Sequence, residues 1–248
     1  MADPSPPALA QRLRSLTQAR VALGRAGQAL PTRALLDFQL DHARARDAVH
    51  TPLSAEGFAE AICRPVIEVR SRAVDRAAYL KRPDLGRQLD PDDAAKLTQG
   101  GDTLAIIVAD GLSATAVHHH AASMVLALID RLPGWPIASV IVARQARVAL
   151  GDAIGDALGV DLAVILIGER PGLTAPDSLG AYITWQPRPG RRDSERNCVS
   201  NIRPPHGLSY AAAADTIARL LHAAREQAKT GVDLKDGLDR LTPLPDAS

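Results

Sequence analysis

Apolar residues along this chain follow two different rhythms. In the first hundred residues they recur at helical spacing. The clearest case is the segment from about Thr32 to Val49, where Leu35, Leu36, Leu40 and Ala43 return every three to four positions. A shorter helical reading covers Ala8 to Leu23, with Leu9, Leu13 and Leu16 on one face and a break at Gly24 to Gly27. Pro65 to Val69 reads as a short strand, Asp75 opens a capped helix, Pro83 to Arg87 makes a turn and Pro91 starts another short helix. Pro4, Pro6 and Pro7 make a disordered start. After Gly100-Gly101 the rhythm changes. Leu104 to Val108, Ile137 to Ala143 and Leu162 to Ile167 are continuous apolar runs, the mark of strands buried on both faces. Between them lie helices from Ser113 to about Leu132 and from Val148 to Leu158. Ala181 to Trp185 reads as a fourth strand, and Ser209 to Lys229 as an Ala-rich closing helix.

This alternation predicts an α/β fold: an open, mostly parallel, Rossmann-like sheet with helices on both faces. The break near Gly100-Gly101 divides a mainly helical N-terminal region, residues 1–100, from the α/β domain, residues 101–248. The 248 residues suffice for one large domain with such an extension. Aromatic residues make up only 3%, so Ala, Leu, Val and Ile must fill the core.

Charge narrows the function classes. With 29 basic and 28 acidic residues the formal net charge is +1, which gives no electrostatic case for nucleic acid or an anionic membrane as partner. No apolar run approaches the roughly 18 residues that span a bilayer. Two distant cysteines, Cys63 and Cys198, without a CxxC pair, fit a reducing cytoplasm better than a disulfide scaffold. The first 25 residues, acid-poor and with one leucine face, suit either a frayed terminus or a short targeting or partner helix.

Candidate chemistry concentrates between Val164 and Tyr210. Glu169 stands at a strand's carboxyl end, where open α/β sheets place ligand contacts. It suits a general base, a ligand contact or an ion pair with Arg170 or Arg144. Cys198 falls in what reads as a polar loop, as a nucleophile or a small buried thiol, with no His fixed beside it by motif. Ser113, in Asp110-Gly-Leu-Ser-Ala, lies between a strand and a helix like a nucleophile elbow, but Thr115 replaces the second glycine and helix capping accounts for it. Neither G-x-G-x-x-G nor G-x-x-x-x-G-K-[ST] occurs. His118, His119 and His120 are consecutive on a helix, so their side chains step by about 100° and the three cannot converge on one metal. They read as a surface or interface cluster. The charged run Asp41 to Asp47, with His42, reads as a solvated or subunit-facing helix.

Seven short blocks, in order, carry a resemblance. They are Ala22-Leu-Gly-Arg-Ala-Gly, Leu30-Pro-Thr-Arg, Phe38-Gln-Leu-Asp-His-Ala-Arg-Ala-Arg-Asp-Ala-Val, Ala109-Asp-Gly-Leu-Ser-Ala, Arg147-Val-Ala-Leu-Gly-Asp, Leu166-Ile-Gly-Glu-Arg-Pro-Gly-Leu and Arg196-Asn-Cys-Val-Ser-Asn-Ile-Arg. Together the chain resembles the small (light) subunit of ethanolamine ammonia-lyase. The resemblance implies an adenosylcobalamin-dependent lyase converting ethanolamine to acetaldehyde and ammonia by a radical route. It would be active only with a large barrel subunit, in a hetero-oligomer of large–small pairs, in the cytoplasm or inside a bacterial microcompartment. The N-terminal region would contact the large subunit and the α/β domain would help enclose the cobalamin. Val148, Glu169 and Cys198 are the cofactor contacts the resemblance implies, with no catalytic or metal-ligating residue on this chain. The D-x-H-x-x-G motif of another cobalamin class is absent, so base-on binding is the expectation.

Overall fold

A computed structural model describes residues 8–17, 19–101 and 103–234; the proline-rich start lies outside them. The elements in chain order are α1 (Ala8–Leu16), α2 (Thr32–His50), α3 (Phe58–Ile62), β1 (Val66–Arg70), α4 (Arg76–Lys81), α5 (Pro91–Ala94), β2 (Leu104–Ala109), α6 (Ala114–Asp130), β3 (Val140–Arg144), α7 (Leu150–Leu158), β4 (Leu162–Gly168), β5 (Leu179–Trp185), β6 (Arg196–Ile202) and α8 (Tyr210–Gln227).

Six strands form one sheet in the order β1-β3-β2-β4-β5-β6. The first four are parallel, β5 runs antiparallel to β4, and β6 antiparallel to β5. The expected mostly parallel α/β sheet is therefore present, with an antiparallel hairpin at one edge. β1 lies on the N-terminal side of the expected Gly100-Gly101 break yet forms the opposite edge, paired in register with β3. The sheet thus draws on both sides of that break.

The apolar runs become its centre. Every residue of β2 and β4 is buried, and each fully buried Leu, Ile or Val contributes about 1.5–3 kcal/mol. Alternation sorts their side chains into two layers. Ile106, Val108, Val164 and Leu166 face α6 and α8, together with Met124, Leu128, Ile217 and Leu221. Ile107, Ile141, Ile165 and Ile167 face α7 through Leu150 and Ile154.

Two features place the site. After β2 the chain passes through α6 to β3, then through α7 to β4 on the other side of β2. The strand order reverses there, and open α/β sheets bind ligands outside the strand ends at such a reversal. Second, the loop expected at Asn197 to Asn201 is strand β6 instead. Alternation of buried Arg196, Val199 and Ile202 with exposed Cys198 and Ser200 suits an edge strand, but surrounding Arg, Asn and Ser residues disguise it as a loop.

Candidate functional site at the strand ends

The turn after β2 is built to hold the end of β4. Asp110 is buried and accepts from the backbone N–H groups of Gln145 and Ala146, both at 2.9 Å, and pairs with Arg76 at 3.3 Å. Gly111, with φ +53, lies so close to β4 that a Cβ would meet the Gly168 carbonyl at 2.2 Å. Leu112 N–H donates to that carbonyl at 2.9 Å. Ser113 is fully buried; its Oγ accepts from Ala116 N–H at 3.1 Å as the cap of α6, and donates to the Pro176 carbonyl at 2.8 Å. These contacts make it a cap and a loop anchor, as capping chemistry predicts.

Glu169 follows directly. Neither expected arginine is its partner among the described hydrogen bonds: Arg144 pairs with Glu68. Its carboxylate accepts from the hydroxyls of Ser178 and Ser200 and, at 3.3 Å, from Asn201 N–H. A bulge makes this possible. Between the pairs Leu179–Ile202 and Ala181–Val199, β5 has one residue, Gly180, and β6 has two, Ser200 and Asn201. Asn201 takes a left-handed φ of +59, so the bulge turns its N–H and the Ser200 hydroxyl onto Glu169. Gly180 leaves the room, since a Cβ there would meet Glu169 Oε1 at 2.9 Å. A carboxylate offers about four acceptor positions; these three donors leave one for a ligand.

Cys198 lies opposite Tyr182 in the β5–β6 register, and the two side chains interact. Burial in this wall pushes the Tyr182 hydroxyl to about 12, with neighbouring Cys198 adding to the shift. Partial shielding also raises the Cys198 thiol; the Tyr182 hydroxyl opposes and the Glu169 charge adds. The thiol therefore stays protonated at neutral pH and is a poor nucleophile. Val148 sits in the turn between β3 and α7, half-buried. It packs on the same apolar layer as Tyr182. Val148 and Glu169 thus follow the two parallel strands that flank β2, and Glu169 adjoins Cys198 on one face. Hollows lie along α2 at Phe38, His42 and Arg46 and beside β1 at Arg70 and Asp93.

Arg196 and Asp152 fix the rest of this wall. Their side chains form an almost wholly buried ion pair joining β6 to α7. Sequence reading did not single out either residue; a buried pair has no local signature.

The three histidines diverge as helix geometry predicts, but only in part. His118 Nε2 accepts from Ser54 N–H at 3.0 Å. His119 and His120 both turn toward Asp177, a residue that no local pattern joins to them. On α2, Asp41 pairs with Arg20 at 2.6 Å and with Arg44 at 3.8 Å. Leu9, Leu13 and Leu16 of α1 and Leu35, Leu36, Phe38 and Leu40 of α2 are exposed. No helix among the described residues is long and apolar enough to cross a membrane.

Comparison with known proteins gives a consistent result. The family model for the ethanolamine ammonia-lyase light chain matches residues 8–235. A protein of Bradyrhizobium diazoefficiens named ethanolamine ammonia-lyase small subunit is 54% identical over 246 residues, covering 95% of this chain and 94% of its own. The protein of the same name from Azotobacter vinelandii is 51% identical over 237 residues, covering 91% and 87%. Its counterpart in Pseudomonas fluorescens Pf-5 is 48% identical, covering 90% and 85%.

Proposed function

The chain belongs to the ethanolamine ammonia-lyase light chain family, and from that premise we propose that it is the small subunit of an adenosylcobalamin-dependent lyase, enclosing the cofactor against a large subunit. Membership gives the activity class, a carbon–nitrogen lyase acting on ethanolamine as one part of a complex. The observation that supports the cofactor role is the wall itself: Val148, Tyr182, Cys198 and Glu169 share one face.

The donor set fits a corrin, a wide apolar disc fringed with amide side chains. Val148 packs on apolar surface. Glu169, held by Ser178, Ser200 and Asn201, keeps an acceptor position for an amide N–H, and a charged acceptor makes that hydrogen bond shorter and stronger. Tyr182 and Cys198 form a flat wall whose groups stay protonated. When bound, base-on adenosylcobalamin supplies the radical chemistry that deaminates the substrate. This chain's residues bind and orient it and exclude water from one side.

The second expected partner surface is the N-terminal region. Exposed leucines along α1 and α2 are apolar area that a large subunit would cover, so residues 1–100 are read as the main subunit contact and 101–248 as the cofactor domain. Both cysteines are free, which suits the cytoplasm or a microcompartment interior. The test is gel filtration of this chain mixed with a large subunit and cobalamin. Coelution of both chains with the corrin absorbance is expected; separate elution, with cobalamin in the small-molecule fraction, would overturn the reading.

A further inference from the structure

We propose that His119, His120 and Asp177 bind a borderline divalent cation of the zinc type, which clamps the loop between β4 and β5 to helix α6. Each residue places a ligand atom within 4.8 Å of the others. Asp177 Oδ2 is 3.3 Å from His119 Nδ1 and 3.7 Å from His120 Nε2. Around a tetrahedral zinc with bonds of about 2.0–2.1 Å, ligand atoms stand about 3.4 Å apart. Two edges of the triangle are already close to that length, and the third is within 4.8 Å.

The unpartnered nitrogen of His120 carries the argument. Its Nδ1 is 2.8 Å from the Tyr210 hydroxyl. With the proton on Nδ1 donated to that oxygen, the lone pair sits on Nε2. Nε2 is buried without a hydrogen-bond partner, on a side chain only 7% exposed. It faces Oδ2 of Asp177 across 3.7 Å, beyond hydrogen-bond reach. A buried polar atom without a partner costs about 1–3 kcal/mol. A cation between the two satisfies both.

The surroundings agree with a metal site. Tyr210 orients the ligating ring, as outer partners of metal-bound histidines do. Arg203 Nη1 lies 3.8 Å from Oδ1 of Asp177; it leaves Oδ2 to the cation, while its charge limits affinity. His119 is exposed, which gives an entry path and room for water as a fourth ligand. Two imidazoles and one carboxylate suit zinc better than magnesium or calcium. The consequence is local: Asp177 precedes Ser178, which holds Glu169, and Ser113 anchors Pro176. A bound ion would stiffen the loop behind the proposed cofactor wall.

The test needs no lyase activity, so its failure is separable from failure of the cofactor reading. The full chain, stripped with chelator and free of any histidine tag, is titrated with zinc alone and passed through gel filtration for metal analysis. About one zinc per chain is expected, with affinity at least about tenfold weaker in His119→Ala. His119 is exposed, so this variant keeps the fold. His118→Ala, whose ring is already engaged by Ser54, should bind as the wild type does. No retained zinc, binding unchanged in His119→Ala, or an equal loss in His118→Ala would each overturn the proposal.

Discussion

Glu169 accepts from the Ser200 hydroxyl at 2.5 Å, tying the carboxyl end of β4 to the bulge in β6. Two strands that are not hydrogen-bonded to each other are thereby fixed together across β5. The carboxylate is positioned before any ligand arrives. Glu169→Gln keeps the shape but removes the charge and replaces one acceptor oxygen with an NH2 donor. Hydrogen bonds to charged groups are worth about 1.5–3 kcal/mol, so cobalamin affinity of the large–small pair should fall by about ten- to a hundredfold. Turnover at saturating cofactor should stay near that of the wild type. Titration followed by corrin absorbance reads this, and an unchanged affinity would count against a direct contact.

The Arg196–Asp152 pair should carry the stability of the same wall. Both side chains are almost wholly buried. Arg196→Met leaves Asp152 ionisable and without its main partner, which costs about 3–5 kcal/mol. Adding Asp152→Asn should recover part of the loss, because the unpaired charge is then gone. Denaturant unfolding of the three proteins decides it; a cost below about 1 kcal/mol, as for surface pairs, would show that solvent reaches the pair.

How much of this was legible differs by element. Leu104–Val108 and Leu162–Ile167 announced themselves because burial on both faces demands unbroken apolar runs. Ser113 was readable as a cap because capping is local chemistry. Strand β6 was not, because an edge strand needs only one apolar side, and Arg196-Asn-Cys-Val-Ser-Asn-Ile alternates too weakly against its polar neighbours. The partners of Glu169 were also hidden: they depend on a bulge whose register is set by pairing with β5, not by local sequence. The convergence of His119 and His120 on Asp177 joins residues 57 or more positions apart, a relation only the fold can supply. Val148 stood out through family resemblance alone.

Cys198 should behave as an ordinary thiol. Shielding and the nearby Glu169 charge hold it above its usual value. Alkylation by iodoacetamide should be slow at pH 7 and accelerate only in alkaline buffer, and Cys198→Ser should leave turnover at saturating cofactor largely intact. Rapid alkylation at pH 7 that abolishes turnover would restore the nucleophile reading.

His118 and His120 are both held below their ordinary value, chiefly by burial. The unfolded chain then binds protons more readily than the folded one as pH falls below the unfolded value of about 6.5. Stability is therefore full above that value and is lost as pH drops toward the folded values. Denaturation midpoints are measured with chelator present between pH 7.5 and 5.5. Burial raises Asp152 to about 6 and also raises Asp110, which works the other way in wild type and variant alike, so the contrast decides it: His120→Asn should lose less stability than the wild type over this range, and identical pH trends would contradict the burial of this ring.

The most direct measurement is cobalamin retention by the large–small pair carrying Val148→Ala, Glu169→Gln and Cys198→Ser together. None of the three anchors the sheet's core, so the pair should still form. We expect the variant pair to coelute intact but to lose most of its corrin absorbance at a cobalamin concentration that saturates the wild type. An intact variant pair that holds cobalamin as tightly as the wild type would show that the large subunit makes the site alone, and that the wall formed by β4, β6 and the turn after β3 serves another purpose.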